Sequence, residues 1–353
     1  MKILHTADWH LDAPFAGASA ELREQLRQEL RKIPEKIMEL AKAENCDLVL
    51  IAGDVFDGPC TPESVHAVRT AFERSCLPVL VSPGNHDFCG PGSPWLEQRW
   101  PENVHIFTGA LESVVLSGLD CRIYGAGYQS MDCPGMLEDF TRTGTERFHI
   151  SVLHGDPGAA SSPYCPVTTA QVRASGLDYL ALGHIHKAGQ FSAGDTLCAW
   201  PGCPMGRGFD ETGEKGVYIV ELGDRAELRF LPLNTPRFFD LQAETTGGAA
   251  AALERCLPGT TTHDVYRVRL VGSGQEPLRD LYERYSHIPN LLLTDSREAP
   301  VDIWASAGDD TLEGIYFTLL RELAGSGDPK LSSSAQLAAE ISRRLLDGKE
   351  VTL

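Results

Sequence analysis

A chain of 353 residues, 42% of them apolar, is long enough for about two domains with separate cores. Its 31 basic and 49 acidic residues give a formal charge of -18, which argues against unaided adhesion to nucleic acid, because phosphate backbones are gripped by clustered lysine and arginine. Asp8 comes too early for a secretory signal, no run nears the ~18 apolar residues of a membrane span, and the ten cysteines form no Cys-x-x-Cys pair, so the expectation is a cytoplasmic protein with reduced thiols and no membrane segment.

Residues 1–6 read as a short buried strand. A polar turn follows over 8–15, Ser19 is placed to cap a helix, and Leu22, Leu26, Leu30 and Ile33 recur at helical spacing. Pro34 interrupts that helix, and a second one carries Ile37, Leu40 and Ala41 toward the core. Next come a strand over 47–52, a helix opening at Thr61-Pro62, where proline suits the first helical position, and a strand over 78–82. Short strands at 104–107, 113–116 and 121–124 begin a second, partly antiparallel sheet. Strands over 149–153 and 177–182 flank a short helix at 168–174. Hairpins follow, 190–193 against 196–200 and 216–222 against 226–231.

A boundary is expected near Leu233-Asn234-Thr235-Pro236. Beyond it, 236–305 reads as a small α/β module, with strands at 238–242, 265–270 and 290–294 and helices at 249–256 and 278–285. Residues 306–353 form a tail of two helices split by Gly325-Ser326-Gly327-Asp328-Pro329, the second carrying Leu337, Ile341 and Leu345 as an apolar stripe that needs a partner. The predicted class is α/β: two stacked sheets with helices outside over 1–235, then the module and the tail.

Five of the predicted strands end in the same kind of residue. They deliver Asp8 and His10, then Asp54 and Asp57, then Asn85, His86 and Asp87, then His154, then His184 and His186. Open α/β sheets bind ligands at the carboxyl ends of their strands. Taken singly, Asp8 reads more readily as a turn cap, Asp54 equally as a helix cap, Asp57 nearly as well as a turn cap, and His154 more readily as a hydrogen-bonded histidine. Taken together, Asp8, His10, Asp54, Asn85, His154, His184 and His186 form an oxygen and nitrogen donor set without thiolates, suited to Mn²⁺, Fe²⁺ or Zn²⁺. Seven donors exceed what one ion needs and suit two that share a bridge, the arrangement that serves phosphoester hydrolysis. Trp9, Phe15 and Phe88 are expected in the core rather than stacked on a base.

Asp8-x-His10, Gly53-Asp54-x-x-Asp57, Gly84-Asn85-His86-Asp87, His154-Gly155 and Gly183-His184-x-His186, in that order, resemble the five motifs of the calcineurin-like metallophosphoesterases. More narrowly, residues 5–12 and 52–57, with Trp200-Pro201-Gly202 and Gly213-Glu214-Lys215-Gly216, resemble the SbcD nucleases, especially their YhaO-like branch. The resemblance implies an αββα sandwich with a capping domain at 236–305, and a tail that docks an SbcC-type, YhaN-like coiled-coil ATPase. It implies that Asp8, His10, Asp54 and His186 hold one divalent cation and Asp54, Asn85, His154 and His184 the other, with manganese the expected metal. It further implies that His86 protonates the leaving oxygen or stabilises charge on the phosphorane, that Asp57 accepts its other ring N–H and fixes its orientation, and that the substrate is DNA, cut as an exonuclease or endonuclease. A homodimer is left open. Two other readings also stay open, a small-molecule phosphoesterase and an idle scaffold for the ATPase.

Overall fold

The computed structural model describes residues 1–158, 160–257, 263–298 and 302–348, so the last residues of the expected tail, 349–353, lie outside it. The chain divides into two compact units, one of Met1–Leu241 with Gly259–Arg267 and His287–Leu292, the other of Gln242–Pro258, Val268–Ser286 and Leu293–Leu353.

In the first unit, β1 (Lys2–Thr6) leads to α1 (Ala20–Arg31) and α2 (Ile33–Ala43), then β2 (Leu48–Ile51), α3 (Pro62–Ser75), β3 (Val79–Val81), the single turn α4 (Pro94–Glu97) and β4 (Val104–Ile106). Ser19 caps α1, its hydroxyl accepting from the Leu22 N–H, and the helix stops at Lys32 so that Pro34 falls in the first turn of α2. A second set follows: β5 (Glu112–Leu116), β6 (Cys121–Gly125), β7 (Phe148–His154), α5 (Thr169–Ser175), β8 (Tyr179–Gly183), β9 (Lys187–Ala193), β10 (Thr196–Gly202), β11 (Gly216–Leu222) and β12 (Ala226–Pro232).

Two six-stranded mixed sheets result, in the orders β12-β11-β1-β2-β3-β4 and β5-β6-β7-β8-β10-β9. The hairpin β11–β12 returns to the first sheet, where β11 lies antiparallel to β1 with Leu4 opposite Ile219. Alternation along the strands builds the layers. Ile3, Leu48, Leu50 and Leu80 pack with Ile123, Ile150, Val152 and Ala181 between the sheets. Their neighbours Leu4, Val49, Ile51 and Val81 meet Leu30, Ile37, Val68 and Phe72 of the helices outside, while Leu153, Leu180 and Leu182 meet Val172 of α5. Strands covered on both faces explain the near-continuous apolar runs of the sequence. The fold is therefore α/β with helices outside two sheets, as expected.

The strands β13 (Phe238–Glu244), β14 (Val265–Val271) and β15 (Leu291–Asp295) form a third sheet in that order, with α6 (Ala249–Cys256) and α7 (Leu278–Arg284) between them in sequence. Within the second unit the Tyr285 hydroxyl donates to the Ala250 carbonyl at 2.8 Å and ties α7 to α6. Its last two helices, α8 (Leu312–Ala324) and α9 (Pro329–Leu346), pack on each other. The face α9 buries is not the stripe of large residues but Ala335, Ala339 and Arg343, whose guanidinium covers the Phe317 ring at 4.4 Å. Leu337 and Leu345 stay exposed, as do Leu312, Ile315, Leu319 and Leu323 on α8. No helix among the described residues is long and apolar enough to cross a membrane.

Candidate metal centre

The loops after β1, β2 and β3, adjacent parallel strands of the first sheet, meet the loops after β7 and β8 of the second. Main-chain bonds stitch them together: Asp8 N–H to the Gly53 carbonyl at 3.0 Å and His10 N–H to the Asp54 carbonyl at 2.9 Å. Carboxylates complete the lacing, since the His184 N–H donates to Asp8 Oδ1 at 3.0 Å and the His86 N–H to Asp54 Oδ1 at 2.9 Å. Asp8, His10, Asp54 and His184 all have left-handed backbones, with φ of 54°, 48°, 51° and 87°. Each such residue costs about 1–3 kcal/mol and persists only where packing over-determines it. Here the fully buried strands supply that constraint, at roughly 1.5–3 kcal/mol per buried aliphatic side chain. The glycines before the donors permit the approach, for a β-carbon on Gly84 would overlap the Asp54 carboxylate and the His154 ring.

Three donor groups converge there: Asp8, His10 and His186; Asp8, Asp54 and His154; His10, Asp54 and His86, the candidate ligand atoms of each lying within 4.8 Å of one another. Asp8, His10 and Asp54 each belong to two of them. Asn85 joins through its Oδ1, 2.9 Å from His154 Nε2. His184 enters none of the three; its ring packs edge-on against His154, centroids 5.3 Å apart, and lies tilted on Tyr164 at 4.7 Å.

The acceptors around the rings favour one histidine tautomer, although Arg207 Nη2, a donor, also lies 2.9 Å from His186 Nδ1. Nδ1 faces an acceptor in three rings: Asp57 Oδ1 at 2.9 Å from His10, the Ala52 carbonyl at 2.8 Å from His154, and Glu211 Oε1 at 2.7 Å from His186. A neutral ring that donates from Nδ1 presents the Nε2 lone pair inward, the form that binds metal. Those lone pairs then face other acceptors: His10 Nε2 lies 3.2 Å from His186 Nε2, and His154 Nε2 lies 3.3 Å from Asp54 Oδ2. Asp8 Oδ2 is buried with no hydrogen-bond partner. Acceptors opposed to acceptors, with an orphaned carboxylate oxygen among them, are the environment a cation satisfies, so the side chains fit divalent metal ions.

Charge perturbation agrees. Burial disfavours the His154 imidazolium, yet the charges of Asp54 and Asp8 outweigh it and raise its pKa to about 10, so without a cation the ring carries a second proton on Nε2, which a metal would displace to expose the lone pair. Burial works against the Asp54 carboxylate too, but the neighbouring His154 and His10 hold its pKa below the usual range. The pocket is short of positive charge. Asp87, by contrast, is driven up to about 6 by burial and by Asp54, and its carboxylate braces the loop by accepting from the Gly84 and Val55 N–H groups.

His86 stands at the rim, its side chain 39% exposed, with Nδ1 2.9 Å from Asp57 Oδ1. That bond raises its pKa although partial burial opposes it. The same Asp57 oxygen accepts from His10, so one carboxylate orients both rings. Trp9 is fully buried, its indole N–H donating to Thr6 Oγ1, and Phe15 is buried as well. Asp12 fastens the start of α3, accepting from the Thr61 N–H and the Ser64 hydroxyl.

Sequence reasoning missed Glu211 and Arg207. Both lie on the connection between β10 and β11, where no strand end or helical period marks them; the nearby Gly213-Glu214-Lys215-Gly216 was the available signal.

Residues 1–188 match the family model described as calcineurin-like phosphoesterase. The chain is 36% identical over 245 residues to the uncharacterized metallophosphoesterase YhaO of Bacillus subtilis (strain 168), a match covering 63% of this chain and 57% of that one. It is 27% identical over 264 residues to SbcD of the SbcCD nuclease from the same organism, covering 63% and 66%. The matches thus span less than two thirds of either relative's length. Among solved structures, TT1561 of Thermus thermophilus aligns with a TM-score of 0.41 at 12% identity, over 65% of this chain and 98% of that one.

Proposed function

The chain belongs to the calcineurin-like phosphoesterase family, and from that premise we propose that it is a two-metal phosphodiesterase acting on DNA, as the nuclease subunit of an SbcCD-like repair assembly. The observation that carries the hydrolytic reading is the convergence of the strand-end donors, with their lone pairs turned inward around the orphaned Asp8 oxygen. Support for DNA is the 27% identity to SbcD of the SbcCD nuclease.

In this reading Asp8, His10, Asp54 and His186 hold one cation, and Asp54, Asn85, His154 and His184 the other. Two such ions, manganese by preference, would supply Lewis-acid charge and lower the pKa of a water for attack. The protein's own groups do the rest. Asp57 and Glu211 fix the rings of His10 and His186. His86, held by Asp57 at the rim, gives a proton to the leaving oxygen. Purified protein with Mn²⁺ is expected to hydrolyse both bis(p-nitrophenyl) phosphate and linear DNA. The formal charge of -18 favours a second reading, a small phosphoester as substrate, and activity confined to monoesters or cyclic nucleotides would establish it over the first.

The negative surface also bears on partners. A subunit of formal charge -18 grips a duplex only weakly by itself and gains from a companion with a basic groove, and the exposed Leu312, Ile315, Leu319, Leu337 and Leu345 of α8 and α9 offer a coiled-coil ATPase an apolar face. Deleting the residues after 310 should abolish co-purification with the ATPase while leaving bis(p-nitrophenyl) phosphate hydrolysis within about twofold; unchanged co-purification refutes the docking role.

A further inference from the structure

We propose that Arg207 is a substrate-binding residue whose guanidinium, fixed by Glu211, takes a non-bridging oxygen of the phosphate at the candidate metal centre. The inference rests on the phosphoesterase reading above and adds to it the cation that grips the substrate.

The guanidinium is anchored on one side. Nη2 donates to Glu211 Oε1 at 2.8 Å and Nε to Oε2 at 3.4 Å, while the Arg207 backbone N–H donates to the same Oε2 at 2.8 Å. Glu211 Oε1 also receives Nδ1–H of His186, 2.7 Å away, so a single carboxylate sets the imidazole and the guanidinium together. Nη2 comes within 2.9 Å of that Nδ1, which places the arginine against the candidate ligand itself. On its other side Nη1 reaches toward Asp57 Oδ1, which orients His86, and stops at 3.8 Å. That is an ion-pair distance, too long for a hydrogen bond.

Two features separate a binding role from a merely structural one. A side chain needed only to hold Glu211 has no use for further donors, yet Nη1 has no hydrogen-bond partner among the described residues and the side chain is 21% exposed. Nη1, left over from the Glu211 bonds, therefore lies beside the carboxylate that orients His86. Arg207 is also the only arginine or lysine, among the described residues, hydrogen-bonded or ion-paired to any of the side chains gathered there, through Asp57 and Glu211. In a chain of formal charge -18 that single fixed cation meets what the substrate presents, an anionic phosphoryl group. With Nε and Nη2 fixed by Glu211, the free Nη1 can donate to a phosphate oxygen, and the anchored side loses little freedom on binding.

Titration calorimetry of the Mn²⁺-loaded protein with inorganic phosphate, alongside metal analysis, tests this directly. Arg207→Gln should retain the parental manganese content and weaken phosphate binding about tenfold to a hundredfold. Arg207→Lys, a point charge without the fork, should recover part of the loss. Phosphate affinity within about twofold of the parent in both variants overturns the proposal. Loss of manganese in step with phosphate overturns it as well, since Arg207 would then act through His186. A measurement free of substitution guards against misfolding: phosphate should protect Arg207 of the loaded parent from phenylglyoxal, and equal modification with and without phosphate counts against the assignment. A parent that binds phosphate through Arg207 but hydrolyses no phosphoester defeats the proposed function alone, whereas hydrolysis with an indifferent Arg207 defeats only this inference.

Discussion

Replacing His86 with alanine should lower turnover of bis(p-nitrophenyl) phosphate by about 10²- to 10⁴-fold, the range for loss of a positioned proton donor, while two manganese ions stay bound. The variant deletes the ring and little else. The main-chain N–H of residue 86, which donates to Asp54 Oδ1 at 2.9 Å, survives the substitution, so the loop that presents Asn85 keeps its anchor. Asp57 keeps its bond to His10 as well. What disappears is Nε2, which has no hydrogen-bond partner among the described residues and belongs to a ring whose Nδ1 is held by Asp57. A nitrogen so placed can meet a leaving oxygen. His86 also lies in a donor group with His10 and Asp54, so the competing role is that of a ligand. Metal analysis decides between them: an alanine variant that loses manganese as it loses activity makes His86 a ligand, and one with normal turnover removes it from the chemistry.

Much of this centre was legible because its physics is local. A buried parallel strand must be apolar on both faces, so the first polar residues after Ile51 or Leu182 stand out, and the sheet brings such strand ends to one edge without further information. The route by which the donors turn was not legible. Asp8 and His10 reach the pocket through left-handed backbones, which only the completed sheet pairing enforces. Arg207 and Glu211 escaped notice for a related reason. They sit on a loop, and their meaning comes from His186, more than twenty positions away in sequence, rather than from any periodicity. The tail was legible only in part. The stripe of Leu337, Ile341 and Leu345 called for a partner inside the chain or outside it; within the chain Ala335 and Ala339 allow α8 to approach closely and Arg343 spreads its guanidinium over Phe317, so small residues make that interface while Leu337 and Leu345 stay outside.

Asp54→Asn should be the most damaging single change to the metal centre and among the least damaging to the fold. Asp54 is common to two donor groups, with Oδ2 3.3 Å from His154 Nε2 and 3.7 Å from His10 Nε2, so its charge serves both halves of the pocket. The amide is of the same shape. Its oxygen can still accept from the His86 N–H, and its NH₂ can donate to the His154 lone pair, which leaves the loop's hydrogen bonds intact. What the amide lacks is the negative charge and the second oxygen that two cations would share. Several kcal/mol of transition-state stabilisation depend on those cations, so turnover should fall at least about a thousandfold. Manganese content should drop from two ions per chain to less than one. The rise in melting temperature that Mn²⁺ gives the parent, which follows from binding the folded state alone, should largely vanish, while the metal-free variant melts within a few degrees of the metal-free parent. An Asp54→Asn protein that still binds two ions and shows the full thermal shift would mean that the two halves of the pocket do not share this carboxylate. The donor groups would then have to be divided without a bridge.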